Sequence, residues 1–169
     1  MMSPGVRKFV LSAHLTFSIG WIGAVAAYLA LDLTVATSHD AATLRAAWIA
    51  MGTITARAIV PLAIASLLTG IVMSVGTRWG LLRHWWVLIS FLLTLFATVV
   101  LLSESAVIGR AAAVAADPAT TEHALLALPN TLPHSIGGMA VMLTVQVLNM
   151  YKPRGLTRYG WRKQQEQPA

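Results

Sequence analysis

Near the start of this 169-residue chain a histidine, a serine, two aromatic residues and an aspartate recur at helical spacing. At 100° per residue, His14, Ser18, Trp21, Val25, Tyr28 and Asp32 fall within about 40° of one line along a helix. An imidazole on such a stripe can ligate haem iron or another metal, or accept and release a proton. It can equally be a structural group bonded to a neighbouring helix. Apart from Asp32 at its end, the stripe lies within Phe9–Leu31, a stretch without a single charged residue. Ionisable groups are costly in a membrane, so this face is expected to turn towards other helices.

Two further clusters carry possible chemistry. His84 and Met150 are the candidate second ligands for a haem bound by His14, with Ser18 and Trp21 lining the same site. At the opposite edge Asp32, Arg57, Glu104 and His134 share one depth, with His39 and His123 in the loops above. Those four read either as an ion-pair network or as a cap for a quinone head group, a haem propionate or a metal ion. His134 with Met139 and Met142 would suit copper(I), which favours soft thioether donors; methionine also simply fills gaps. A single iron cannot bridge His14 and His134. Their heights differ by roughly 15 Å at 1.5 Å per residue, whereas axial nitrogens sit about 4 Å apart. His84 lies at the right depth but points about 120° away from the polar stripe of its own helix.

These residues are positioned by four charge-free stretches, Phe9–Leu31, Ala58–Thr77, Trp85–Ser103 and Pro133–Tyr151. Each is about 19–23 residues, enough to cross roughly 30 Å of hydrocarbon as a helix. The fold class is therefore all-α, a polytopic membrane protein with an antiparallel bundle of four transmembrane helices. Residues 1–163 form one domain and 164–169 a disordered polar tail. Helix three repeats the polar pattern through Trp86, Ser90, Thr94, Ala97, Leu101 and Glu104. Helix four carries two stripes, one through His134, Gly138, Val141 and Val145, the other through Ser135, Met139, Met142, Gln146 and Asn149. Ser66, Gly70 and Ser74 make a small-residue packing face on helix two. Pro61 should kink that helix, and Ala41–Arg57 should be helical after the cap candidates Ser38 and Asp40.

Composition agrees: 57% of residues are hydrophobic and 11% charged, and there is no cysteine. Disulfides and thiolate metal sites are excluded, and no nucleotide loop or nucleophile constellation is present. The net charge of +6 reflects membrane orientation, not nucleic acid. Arg7, Lys8, Arg78, Arg83, Lys152, Arg154, Arg158, Arg162 and Lys163 fall on one side. Only Arg45, Arg57 and Arg110 fall on the other. By the positive-inside rule both termini are cytoplasmic and the protein is a multi-pass protein of the cytoplasmic membrane. The first span is too long for a signal-peptide core and is read as retained. The basic and aromatic tail from Tyr151 to Lys163 reads as an anchor on anionic lipid.

The whole chain resembles a group of small four-helix bacterial integral membrane proteins. That match is carried by His14, Trp21 and Gly23, by Trp79-Gly80-Leu81-Leu82-Arg83-His84-Trp85-Trp86, and by the tail from Lys152 to Trp161. Helix one is also similar to the copper-resistance D family and to the bacterial haem-containing protoporphyrinogen oxidase, where a histidine precedes tryptophan and glycine at this spacing. The resemblance to the oxidase implies that His14 ligates haem b; where that family has a lysine on its third helix, this chain has Ser90 on the nearby inner face. Three functions follow as expectations. One is a b-type haem protein exchanging electrons with quinone, another a copper- or metal-handling protein. The third is a non-catalytic subunit with no cofactor, bound to a membrane partner or to further copies of itself.

Overall fold

Ser3 and Pro4 begin the first helix. The Ser3 hydroxyl accepts the Val6 N–H and proline occupies the first turn, where no backbone donor is needed. The computed structural model describes residues 2–77 and 79–166. Arg78, one of the basic residues counted above, and residues 167–169 of the polar tail lie outside them.

Helix α1 runs from Pro4 to Thr37, 34 residues, six residues beyond the expected span. The Asp40 carboxylate then accepts the Thr43 N–H at 2.8 Å and starts α2 (Ala41–Ile54). A five-residue π turn, Thr55–Ile59, leads directly into α3 (Val60–Gly76). Pro61 explains this junction. It has no N–H to offer the carbonyl four residues back, and the chain shifts to a wider turn in which the Val60 N–H reaches the Thr55 carbonyl. α2, the π turn and α3 are thus one continuous element of 36 residues.

After a turn through Gly80, whose φ of +62° suits glycine, α4 extends from Trp85 to Ala116, 32 residues. A short α5 (Glu122–Leu126) leads to α6 (Leu132–Tyr151), 20 residues. Helix α7 (Arg158–Gln165) follows, so the stretch expected to be disordered from 164 is helical at its start. Among the described residues the fold is all-helical. α1, the continuous α2–α3 element and α4 are long and apolar enough to cross a membrane. α6 carries no Lys, Arg, Asp or Glu, but His134, Ser135, Gln146 and Asn149 dilute its apolar character, and it is not among them.

Contacts at the helix ends fix how these elements meet. Met2 N–H bonds to the Gly76 carbonyl, Trp85 N–H to Gly155 and Thr157 N–H to Arg83. The start of α1, the end of α3, the start of α4 and the chain after α6 therefore share one end, which also carries most basic residues. At the far end the Arg45 guanidinium donates to the carbonyls of Ala115, Asp117 and Thr120, satisfying the C-terminus of α4. Close approach along the way depends on small residues: a Cβ on Gly52 would sit 2.5 Å from that of Ala112. The core holds Trp21, Tyr28, Leu44, Trp48, Met51 and Ile108. Phe9, Ile19, Leu68, Phe96, Val99 and Val147 are exposed, an apolar exterior that suits lipid rather than water.

Candidate functional site

The polar stripes meet. His14, Ser18 and Trp21 of α1 line one cavity with Ser66, Gly70 and Ser74 of α3. Trp86, Ser90 and Thr94 of α4 and Met142, Gln146 and Asn149 of α6 complete it. Its volume is about 310 Å³, at the lower end of small-ligand sites. It lies in the half of the bundle nearest the basic end, and Lys152 and Trp79 are at its rim. Face after face, the periodicity that marked these residues is the periodicity of the cavity wall.

Hydrogen-bond accounting assigns the state of His14. Its Nδ1 lies 3.0 Å from the Thr69 hydroxyl. That hydroxyl already gives its single proton to the Ala65 carbonyl at 2.7 Å, so towards His14 it can only accept. That arrangement favours the tautomer with the ring proton on Nδ1, which leaves the lone pair of Nε2 for a metal or a proton. The ring packs on α3 at Gly70, where an added Cβ would come within 3.2 Å of its Cε1. One turn on, Ser18 and Ser66 hydroxyls bond at 2.8 Å. Beside them the Ser90 hydroxyl and the Trp21 indole N–H are buried and have no partner among the described residues.

The expected second ligands are not at this cavity. His84 Nδ1 bonds to the Trp79 carbonyl at 2.6 Å, and its ring meets Trp79 edge to face. It holds the turn before α4 together, which accounts for its angle away from the polar stripe. Met150 is 72% exposed and points away. Met73 and Met142 do line the cavity; Met73 is not marked in sequence because it stands outside the Ser66, Gly70 and Ser74 series and belongs to no polar stripe.

The far cluster also rearranges. Asp32 is not paired with Arg57, which is exposed. The Asp32 carboxylate is 2% exposed and accepts from the hydroxyls of Thr131 at 2.8 Å and Ser135 at 2.7 Å. Tyr28 donates in turn to Thr131 at 3.2 Å. These groups tie α1 to the N-terminus of α6, where the helix dipole favours a carboxylate. Glu104 instead meets the partly exposed His134, 3.7 Å from Nε2. Met139 packs against the core, while Met142 lies on the first cavity's wall and also on that of a second cavity, which His134 shares. His39 and His123 are exposed. Among the described residues no three His, Asp or Glu side chains come together to hold a metal ion.

A second cavity, about 410 Å³, occupies the far half of the bundle between α1, the π turn, α4 and α6. It shares Trp21, Ala97, Val141 and Met142 with the first. No protein-family model, curated protein or solved structure matches the chain.

Proposed function

We propose that this chain is a multi-pass protein of the cytoplasmic membrane, a four-helix antiparallel bundle with cytoplasmic termini, whose basic-end cavity binds b-type haem through His14 for electron exchange with quinone. The observation that carries the reading is His14 itself. It stands on a cavity wall among converging polar stripes, with Thr69 placed to accept a hydrogen bond from Nδ1 and so leave Nε2 as the ligating nitrogen. Met73 and Met142 line the same space and would offer thioether ligands, and a haem there would need the helices to part beyond the present volume of about 310 Å³. Haem b would supply a one-electron couple there. The chain's own part is to hold the imidazole in one tautomer, enclose the site with Trp21, Trp86 and Phe91, and place Lys152 at the rim near any anionic edge. Four crossings include α6, whose Gln146 and Asn149 line the first cavity and whose Ser135 lines the second.

Purified protein is expected to show a Soret absorption band that is lost in His14→Ala and retained in His84→Ala and Met150→Ala. A colourless wild-type protein after expression with ample haem would overturn the reading. It would favour the other one the contacts support, a non-catalytic subunit in which His14–Thr69, Ser18–Ser66 and Asp32–Ser135 only hold helices together.

A further inference from the structure

We infer that the far-half cavity is a separate binding site for an uncharged, mainly apolar molecule carrying a hydrogen-bond-accepting oxygen, such as a ketone, quinone or ester. Two buried donors on its wall are unused. Threonine hydroxyls within the helices routinely bond back to the preceding turn, as those of Thr34, Thr69, Thr94, Thr98 and Thr144 do. Thr55, 2% exposed at the head of the π turn, makes no such bond, and its Oγ1 has no partner among the described residues. The Trp21 Nε1–H, which can only donate, is also unpaired. Both residues line the cavity. A buried donor left without an acceptor has lost its water and gained nothing in return, and an acceptor brought in by a ligand removes that penalty.

The remaining wall defines the rest of the molecule. It is largely apolar, through Val25, Ile59, Leu101, Ile108 and Met142. The Tyr28 and Ser135 hydroxyls are already committed to Thr131 and Asp32. Among the described residues the ionisable groups on it are Glu104 and His134, which face each other, so no Lys or Arg there awaits an anionic ligand. A lone water could accept from one or both donors, but its own protons would face hydrocarbon walls. Phe96, which lines the cavity, is also 62% exposed on the apolar exterior, so a lipid-soluble molecule can reach the cavity from the side. The site shares Trp21 and Met142 with the basic-end cavity, but His14 does not line it and Thr55 does not line the basic-end cavity, so Thr55→Val separates it from the haem reading.

Benzophenone tests this directly, since its carbonyl is both the acceptor and the photoreactive group. Irradiation with the full-length protein in lipid nanodiscs should give saturable labelling of wall residues such as Ile59 and Ile108, mapped by mass spectrometry. Benzhydrol, which keeps the oxygen, should compete several-fold better than diphenylmethane, which lacks it. Thr55→Val and Trp21→Phe should each cut the labelling several-fold, while His14→Ala leaves it unchanged. Thr55→Val removes an unpaired donor at constant shape, so its melting temperature should equal or exceed that of the wild type, which checks that the variant is folded. Labelling spread over exposed Phe9, Ile19 and Val147, or indifference to Thr55→Val in the folded variant, would overturn the proposal.

Discussion

Asp32 is a buried carboxylate held by hydroxyls rather than by a cation. Thr131 and Ser135 each give it a short hydrogen bond from the first turns of α6, and bonds to charged groups are worth about 1.5–3 kcal/mol apiece. Ser135→Ala should therefore lower stability by roughly that amount in a chemical or thermal melt, with no change in Soret absorbance. Equal stability would mean that Asp32 is not the pin between α1 and α6. The position of Asp32 on an inward stripe is legible in the sequence, because ionisable groups at helical period mark an interior face. Its partner is not. Depth can be counted along a helix, and depth suggested Arg57, but two residues at one height can face opposite ways, and Arg57 faces out. Thr69 was equally invisible as the partner of His14, since a lone threonine on an apolar helix carries no pattern of its own.

Helix boundaries are set by caps and breakers, and these explain what the sequence shows and conceals. Charge-free stretches locate the apolar middles, yet α1 and α4 run well past them because neither continuation contains a proline, and that of α4 is also rich in alanine. Pro61 is a visible signal, but its outcome here is a π turn and an unbroken helix, decided by the packing of α2 and α3 on their neighbours. The start of α2 is a testable element. The Thr43 hydroxyl and N–H both bond to the Asp40 carboxylate and hold it below the ordinary carboxyl value of 3.8. A depressed folded value means that the cap contributes fully above that ordinary value and is lost as pH falls through the folded one. The protection factor of the first-turn amides of α2, their exchange relative to the intrinsic rate at each pH, should accordingly fall on acidification in the wild type. In Asp40→Asn this pH response should be absent; if it persists, another group controls the fraying.

At the scale of the molecule, the basic residues, the N-terminus and the residues after α6 gather at one end, as the charge asymmetry leads one to expect. The absence of cysteine makes orientation simple to measure. Gln165→Cys and Ala119→Cys each introduce a single thiol at opposite ends. A membrane-impermeant maleimide added to intact cells should label Ala119→Cys, and Gln165→Cys only after the membrane is opened. The reverse pattern would invert every assignment of inner and outer cavity. The clasp at the basic end has its own implication. Thr157 bonds to the Leu82 carbonyl across 75 residues of sequence, Leu156 bridges to His84, and Gly160 lies against the Arg83 carbonyl so closely that no larger residue fits. The turn before α4 thus acquires its partner only after every long helix has been synthesised. Membrane insertion and final locking are separate events in time, and a nascent chain halted after α6 would be embedded but still unlatched.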